Sequence, residues 1–202
     1  MSTLSCRDLE TKILILNKQI ERLKRLAYFD ELTGILNRRG FLKSANDLFN
    51  EARGSAMTRE RRKENAAFNG LAILFLDIDF FEKVNDKYSH EAGDFVLKQT
   101  AKLLQKRLRG YDIFGRWGGE EFVIALAAAK TRDALAVAQE IRELTARSCA
   151  KYKGKAICLT LSIGVCVFDR KKHKDLRQMI DKADQAMYWV KTHGRNSVKL
   201  AK

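Results

Sequence analysis

The run LAILFLDID, residues 71–79, limits the possible folds more than any other stretch of the sequence. Its six consecutive apolar residues are typical of a buried strand and are too few for the roughly 20 residues that a membrane-spanning helix requires. The run ends in two carboxylates, Asp77 and Asp79. Since helices have to cover such a strand, we predict an α/β or α+β domain in which helices flank a mixed sheet.

A second constraint is the stretch RWGGEEFVIAL, residues 116–126. Gly118 and Gly119 separate two apolar runs, and a Gly-Gly pair predicts a hairpin because both residues can take positive φ without a Cβ clash. Glu120 and Glu121 follow this turn directly. On the turn alone, an ordinary hairpin with two acidic residues is the simpler interpretation.

The rest of the chain alternates between strand and helix patterns. Residues 157–168, ICLTLSIGVCVF, alternate large apolar with small or polar side chains and are predicted to form one central strand. Residues 51–69 are charged and poor in large apolar side chains, which is typical of an exposed loop. Helices are predicted over residues 36–49, 93–108, a segment around 134–144 and 174–192, followed by a short closing strand, SVKLA.

Residues 5–27 carry apolar side chains at alternating spacings of four and three, the a/d seam of a short coiled coil. This seam predicts a helix that pairs in parallel with a second copy of the chain. The alternative is that the stripe packs back on its own domain. We therefore divide the chain into residues 1–27, a dimerisation or signalling helix, and residues 28–202, one domain. The seam consists of Leu9, Ile13, Leu16, Ile20, Leu23 and Ala27.

Composition indicates where the protein is located, which state its cysteines adopt and which charge its partner carries. We expect a cytoplasmic protein without a membrane segment, because no apolar run is long enough to span a bilayer and no secretory signal pattern is present. Cys6, Cys149, Cys158 and Cys166 show neither CxxC spacing nor partner histidines, which predicts reduced core thiols instead of a zinc site. The net charge of +14 suits an anionic partner, but nucleic acid, nucleotide phosphates and simple solubility all remain open.

Asp77 at a strand end and Glu120 after a hairpin turn are the residue types that a phosphate-bound divalent cation needs. Magnesium prefers oxygen ligands and is usually held by one or two carboxylates together with substrate phosphates. The two carboxylates form such a pair if their strands are neighbours. Taken singly, each is more simply an acidic loop residue, but together they favour a metal site.

Several motifs that occur in order give the chain a family resemblance. DELTGILNRR, LDIDFFEKVND, SHEAGD, RWGGEEF, LSIGV and DQAMYWVKTHGRN lie between about residues 30 and 199. Together they resemble the GGDEF family of diguanylate cyclases, with GGEEF as the variant. The resemblance implies a fold like that of the nucleotidyl cyclases and the polymerase palm, a five-stranded mixed sheet flanked by helices.

The resemblance also implies an activity in bacterial signalling, in which two GTP are condensed into cyclic di-GMP and two pyrophosphates. It implies a two-fold homodimer, Mg²⁺ or Mn²⁺ with two ions per GTP site, product inhibition, and no nucleic-acid partner. The matching metal positions are Asp77, the Ile78 carbonyl and Glu120. Glu120 is also the candidate proton acceptor, with Glu121 as the alternative, because sequence does not separate a metal ligand from a base.

The same motifs imply a set of nucleotide contacts. Asn85, His90 and Asp94 match positions that contact guanine and its ribose, and a carboxylate can accept from the guanine N1–H and amino group together. For Asn85 and Asp94 taken alone, helix capping is the simpler interpretation.

Phosphate contacts are implied at two further places. Gly118 and Gly119 lack side chains and let the backbone approach a triphosphate closely. Lys191 and Arg195 match phosphate-binding positions, although capping of a helix C-terminus explains them equally well in isolation.

Two positions depart from the family pattern. Glu82 replaces a usual lysine, with Lys83 next to it, and a carboxylate there opposes the charge of a transferring phosphate. The second departure concerns the RxxD site, at which product binds and inhibits enzymes of the family. Arg109 and Asp112, in RGYD, match this site. A helper arginine common on the following helix is missing, with Glu140 near its place.

Two other functions remain open from sequence alone. The first is a catalytically weak domain that acts as a receptor for cyclic di-GMP, which Glu82 favours and the intact GGEEF stretch opposes. The second is a basic nucleic-acid-binding protein, which the charge allows but which no recognisable motif supports.

Overall fold

A computed structural model describes residues 6–54 and 70–202. Its helices are α1 Cys6–Tyr28, α2 Arg38–Arg53, α3 Phe81–Lys87, α4 His90–Gln105, α5 Thr131–Arg147 and α6 Leu176–Thr192. Its strands are β1 Leu71–Ile78, β2 Ile113–Arg116, β3 Glu121–Ala127, β4 Cys149–Tyr152, β5 Lys155–Cys158, β6 Leu161–Val167 and β7 Val198–Leu200.

The main sheet has five strands in the order β2-β3-β1-β6-β7. β1 pairs antiparallel with β3 and with β6, while β6 and β7 are parallel. All eight residues of β1 are buried. The predicted five-stranded mixed sheet flanked by helices is confirmed.

Alternate residues of β1 point into two separate cores. Leu74 and Leu76 lie in the core that packs against α3, α4 and α5. Ile73 and Phe75 lie in the core that packs against α2 and α6. Burying such side chains stabilises the fold by about 1.5 to 3 kcal/mol each, so both faces of β1 have to be apolar until the strand ends.

The segment predicted as an N-terminal helix forms α1, and of this helix the C-terminal end contacts the domain, where Asn37 donates to the Ala27 and Tyr28 carbonyls. Its side chains at Leu9, Ile13, Leu16, Ile20 and Leu23 are between 46% and 63% exposed. A single protomer therefore leaves the predicted coiled-coil seam uncovered.

The prediction of one strand over residues 157–168 is wrong. β5 ends at Cys158 and pairs with β4 in a separate two-stranded sheet, and β6 begins at Leu161 in the main sheet. The break falls where the Thr160 carbonyl accepts from Asp79 N at 3.0 Å. Burial continues to alternate through the break, which is why the pattern of side chains looks like one strand.

The prediction of reduced core thiols is wrong for two of the cysteines. Cys149 and Cys158 lie on exposed faces of β4 and β5, directly opposite each other, and form a disulfide. Cys166 is a buried free thiol, as predicted. The side chain of Cys6 lies outside the described side chains.

Two element boundaries differ from the predictions. The helix predicted over residues 93–108 is α4, which begins earlier because Ser89 Oγ caps it by accepting from Ala92 N at 3.3 Å. Residues 51–53, predicted as loop, complete α2, and Gly54 ends it with a left-handed φ of 77°. The remainder of that predicted loop, residues 55–69, lies outside the described residues.

Within residues 6–54 and 70–202, no helix combines the length and the apolar character that a membrane span requires.

Candidate active site

The register between β1 and β3 brings three carboxylates together where β1 ends and β3 begins. They belong to Asp77, Glu120 and Glu121. Asp77 pairs with Glu121, and Ile78 N donates to the Glu120 carbonyl at 3.3 Å. The strands that carry Asp77 and Glu120 are therefore neighbours, which is the condition that a shared metal site requires. The Ile78 backbone lies directly between them.

Asp77 is a buried carboxylate with only half of its hydrogen-bonding capacity used. It is 2% exposed, and its Oδ2 accepts from Lys191 Nζ at 2.8 Å. Its Oδ1 is buried without a hydrogen-bond partner. Burial raises the pKa of Asp77, and the ion pair with Lys191 offsets only part of that increase. A buried acceptor left in this state is expected to take a ligand.

Asp79, two residues later, is satisfied in full. Its carboxylate accepts from Thr160 Oγ1 and Ser162 Oγ, both at 2.6 Å, and from Asn196 N at 3.1 Å. These bonds tie the end of β1 to β6 and to the turn after α6. Asp79 is thus a structural residue, although in sequence it looks equivalent to Asp77.

The two glutamates also stand in an environment short of positive charge. Burial and then the charge of Asp77 raise the pKa of Glu120 and of Glu121. Glu82 adds to the effect on Glu120. Burial lowers the pKa of Lys191, but its bond to Asp77 and the charges of Asp77 and the nearby glutamates outweigh that effect and raise its pKa.

This donor set fits a divalent cation that arrives with phosphate. Among the described residues, no three His, Cys, Asp or Glu side chains converge on an all-protein metal site. Magnesium does not need one, because one or two carboxylates plus phosphate oxygens and waters complete its shell. The unpaired Asp77 oxygen, the Ile78 carbonyl and Glu120 provide that smaller set.

Neither glycine of the turn adopts a positive φ, so the predicted conformational reason for this Gly-Gly pair is wrong. Positive φ angles occur at other glycines but at neither Gly118 nor Gly119. A Cβ on Gly118 would lie 2.5 Å from Glu121 Oε2, whereas a Cβ on Gly119 would meet open space. Gly118 thus makes room for the Glu121 carboxylate, and Gly119 leaves one side of the turn bare.

Arg116 holds the shape of the turn, and sequence reasoning missed it. Its guanidinium donates to the Gly118 and Gly119 carbonyls, the shortest bond being 2.7 Å to Gly119. It also pairs with Asp30 at 3.2 Å. Although burial opposes it, bonds from Thr33 and Arg116 lower the pKa of Asp30. The available signal was an arginine two residues before a Gly-Gly pair.

Asn85 and the first turn of α4 form the second part of the site. Gly93 has no room for a Cβ because Asn85 Oδ1 lies against its Cα. This contact places Asn85 against the residue that precedes Asp94, and both Asp94 and His90 are exposed. Capping does not explain these residues, because Ser89 is the cap of α4.

The cations of the third part lie at the end of α6. Lys191 reaches back to Asp77, as described above, and the helix is ended by His193. Arg195 has a left-handed φ of 59° and places its guanidinium 4.4 Å from the Phe80 ring centroid. Its backbone N–H donates to the Val190 carbonyl at 3.0 Å.

Lys83, and not Glu82, joins this cationic group. The Lys83 ammonium lies 4.4 Å from the centroid of the Phe80 ring, which Arg195 also contacts. Glu82 instead raises the pKa of Glu120. The departure from the family pattern therefore adds negative charge near the carboxylates and leaves a lysine one position later.

RGYD forms a turn between α4 and β2, away from the three carboxylates. Asp112 Oδ2 accepts from Arg109 N at 2.9 Å and Oδ1 from Ala127 N at 3.2 Å. The Arg109 guanidinium donates to Tyr111 OH at 3.0 Å. A cavity of about 320 Å³ lies beside this turn, lined in part by Arg107 and Arg109.

The place of the missing helper arginine is filled by an ion pair. Glu140 of α5 accepts from the guanidinium of Arg107, which belongs to the chain just after α4. Despite a small effect of desolvation, this pairing lowers the pKa of Glu140. An arginine thus stands beside Arg109 even though α5 does not provide it.

Comparison with known proteins identifies the family to which the chain is similar. A family model described as "Diguanylate cyclase, GGDEF domain" matches residues 27–197. Diguanylate cyclase A of Treponema denticola is 42% identical over 134 residues, which are 65% of this chain and 35% of that protein. Diguanylate cyclase DosC of Escherichia coli K12 is 33% identical over 192 residues, which are 94% of this chain and 39% of that protein. The chain thus spans well under half the length of these curated relatives.

A solved structure shares the fold over nearly the whole chain. It contains the coiled coil and GGDEF domain of DgcB from Caulobacter crescentus in complex with c-di-GMP. The TM-score is 0.83 with 24% sequence identity, and the match covers 96% of both chains.

Proposed function

The chain belongs to the GGDEF domain family, and on that basis we propose that it is a diguanylate cyclase that condenses two GTP into cyclic di-GMP and two pyrophosphates. The observation that carries this proposal is the unpaired, buried oxygen of Asp77, a residue that pairs in register with Glu121 and whose charge raises the pKa of Glu120 in addition to burial. A purely structural cluster would have satisfied that oxygen as it satisfies Asp79. The names of the relatives in Treponema denticola and Escherichia coli support the same activity.

Asp77, the Ile78 carbonyl and Glu120 would hold the metal, Mg²⁺ or Mn²⁺, with two ions per GTP site as the family resemblance implies. When bound, such ions polarise phosphate oxygens and favour the ionised form of an attacking hydroxyl. Burial raises the pKa values of Asp77 and Glu120, and the charges of neighbouring carboxylates add to the increase. These pKa values support the assignment, because a bound cation would offset the cost of ionising the buried carboxylates.

The remaining residues would bind and orient GTP. Asp94 would accept from the guanine edge, Asn85 would both accept and donate there, and His90 would contact the guanine or its ribose. Lys191 and Arg195 would bind the phosphates, and the bare backbone at Gly118 and Gly119 supports close approach of the triphosphate.

In the proposed step, the 3′-hydroxyl of one GTP attacks the α-phosphorus of the other. The new O–P bond forms as the bond to the pyrophosphate oxygen breaks, and a second identical step closes the ring. Glu120 accepts the hydroxyl proton, with Glu121 as the alternative acceptor. Their raised pKa values support a role as base, because a base is most effective when its pKa is close to the working pH.

The reaction needs two protomers that face each other, since each contributes one GTP. The exposed apolar seam of α1 supports a homodimer in which the two helices pair. Removing residues 1–27 is expected to lower the rate per subunit at submicromolar protein, because linked helices raise the effective concentration of the partner. An unchanged rate would contradict this role of α1. We place the reaction in the cytoplasm, where GTP is available.

Product would inhibit through Arg109 and Asp112. A guanidinium can form two bonds with a guanine edge or a phosphate, and the cavity beside Arg107 and Arg109 supports a bound ligand. The alternative function, a receptor for cyclic di-GMP with weak catalysis, is favoured by the extra negative charge of Glu82 near Glu120.

Incubating the purified chain with GTP and Mg²⁺ and separating the nucleotides tests the proposal directly. Formation of cyclic di-GMP and pyrophosphate supports the cyclase. Binding of added cyclic di-GMP without turnover would replace the cyclase by the receptor. Neither turnover nor binding would contradict both.

A further inference from the structure

The β4–β5 hairpin carries a cysteine pair that the proposed reaction does not use. Cys149 and Cys158 are paired directly across the two strands, with Cα atoms 4.2 Å apart. Both residues are exposed. Cys166, in contrast, is 2% exposed, and burial raises its pKa to about 11. Of these three cysteines, two are open to reagents and one is protected.

The surroundings of the pair are basic. Arg147 precedes Cys149 by two residues and Lys151 follows it by two, and both are exposed. Lys153 and Lys155, at the tip of the hairpin, are exposed as well. Positive charge and exposure favour the thiolate form, which is the reactive form of cysteine. The same charge attracts an anionic disulfide such as glutathione disulfide.

The stability of the β4–β5 hairpin depends on this disulfide more than the stability of the main sheet does. β4 and β5 have four residues each and pair with each other in a separate two-stranded sheet. Ile157 is buried in the core, and Ala150 and Tyr152 pack against it, but the hairpin lacks a third strand, and a pair of strands alone is at best marginally stable in water. Opening the disulfide is therefore expected to loosen the hairpin before it affects the main sheet.

The loosened part lies against the first turn of α4. Tyr152 OH donates to Glu91 Oε2 at 3.2 Å, and the Tyr152 ring packs 5.4 Å from the Phe95 ring. Glu91 and Phe95 lie on either side of Asp94 in the sequence. The hairpin therefore supports the helix turn that carries Asp94 and His90.

We propose that Cys149 and Cys158 are a thiol–disulfide exchange site for low-molecular-weight disulfides such as glutathione disulfide, and that the closed form binds nucleotide more tightly by holding the hairpin against α4. The exchange itself stands on the hairpin alone. The effect on nucleotide binding rests on the proposed function.

The exchange balances without any further oxidant. One cysteine thiolate attacks a sulfur of glutathione disulfide and displaces one glutathione thiolate, which leaves a mixed disulfide on the protein. The second cysteine thiolate attacks the protein sulfur and displaces the second glutathione. Two electrons pass from the cysteine pair to glutathione disulfide, and the two thiol protons end on two molecules of reduced glutathione.

The test uses the full chain in a Cys6→Ser background, equilibrated at stepwise ratios of reduced to oxidised glutathione. Rapid alkylation and peptide mass mapping then report each thiol. We expect Cys149 and Cys158 to lose and regain alkylation together while Cys166 does not follow the ratio. Independent labelling of the two, or stable mixed disulfides with glutathione, would overturn the exchange site.

Coupling is measured in two ways. Without nucleotide, hydrogen exchange of residues 89–96 is expected to slow on oxidation. Affinity for a non-hydrolysable GTP analogue is expected to rise about fivefold, the low end of the range for coupled sites. The Cys149→Ser, Cys158→Ser double variant should stay at the reduced affinity under both conditions, while Cys166→Ala should respond like the parent chain.

The outcomes separate this proposal from the cyclase. Oxidation of the pair with unchanged hydrogen exchange and unchanged affinity would overturn the coupling. If hydrogen exchange responds but no GTP analogue binds in either state, the proposed function fails and the exchange site stands.

Discussion

The carboxylate cluster at the end of β1 and the RGYD turn before β2 use their acidic residues in opposite ways. Asp77 keeps one buried oxygen without a partner, and burial raises the pKa of Asp77. Both carboxylate oxygens of Asp112 accept hydrogen bonds, from the backbone N–H groups of Arg109 and Ala127. The first region is short of positive charge and the second is internally satisfied.

This difference separates two kinds of ligand site. A residue with unused acceptors is available to a ligand without any rearrangement, whereas a residue whose acceptors are occupied supports the backbone and leaves recognition to its neighbours. At the RGYD turn, that neighbour is the guanidinium of Arg109. We expect the acidic residues to matter for chemistry in the first region and for stability in the second.

The largest effect is expected at the carboxylate cluster. Glu120→Gln should lower cyclic di-GMP synthesis by about 100-fold or more, which corresponds to about 2.7 kcal/mol, because it removes a charge and a proton acceptor from the site. The measurement is product formation at saturating GTP and Mg²⁺. Asp47→Asn, an exposed change on α2, is the matched control.

Circular dichroism should show that the Glu120→Gln variant keeps its fold. Synthesis within a factor of about ten of the parent, a barrier change below roughly 1.4 kcal/mol, would mean that Glu120 is neither ligand nor base.

The second effect concerns stability at the RGYD turn. Asp112→Ala leaves two backbone N–H groups without their acceptors and should lower the free energy of unfolding by about 2 kcal/mol. Asp112→Asn, which keeps one acceptor oxygen, should lose less. Urea unfolding measures both, and equal stability of Ala and parent would show that the turn does not depend on this carboxylate.

A third effect concerns inhibition. Arg109→Ala should raise the cyclic di-GMP concentration needed for half inhibition about tenfold, because it removes the side chain that can bond a guanine edge or phosphate at this turn. Lys102→Ala, an exposed cation on α4, controls for net charge. If Arg109→Ala remains as sensitive to product as the parent, RGYD is only a structural turn.

The smallest effect is the pH dependence of the stability that a bound metal ion adds to the folded protein. The raised pKa values of Asp77, Glu120 and Glu121 mean that the folded state binds protons more readily than the unfolded state. Without metal, these groups therefore cost stability above their folded pKa values, and the cost is relieved as pH falls through them. Metal offsets that cost only where the carboxylates are ionised.

Mg²⁺ should accordingly raise the melting temperature by about 1 to 2 °C more at about pH 8 than at about pH 5.5, a small increment for a chain of this size. Differential scanning calorimetry measures it, and the Glu120→Gln variant should show a smaller difference. A metal effect that grows on acidification would contradict the cluster.

Sequence patterns were sufficient for a mixed sheet covered by helices, and the family resemblance implied its five strands. They made the pairing of Asp77 with Glu120 conditional on neighbouring strands, and the register supplies that condition. They could not separate Asp77 from Asp79. The two look alike in the sequence, and only the position of Thr160 and Ser162 across β6 shows which one is satisfied.

Two other features were outside the reach of the sequence for the same reason. β4 reads CAKY, in which only Ala150 and Tyr152 pack against the core, so its alternation is too short to predict a strand without the partner strand. The disulfide follows from that pairing, because Cys149 and Cys158 become neighbours only when β5 leaves the main sheet. Contacts between residues that are not adjacent in the sequence determine both the strand β4 and the disulfide.

The ion pair between Lys191 and Asp77 also bears on the order in which ligands arrive. At 2.8 Å, the ammonium partly neutralises the buried Asp77 carboxylate. A bare metal ion would have to compete with it, whereas a metal–triphosphate complex brings anions that give the displaced lysine a new partner. Exchange of counterions thus favours loading of both ligands together and leaves metal alone only weakly held, in keeping with the small effect of Mg²⁺ expected on the melting temperature.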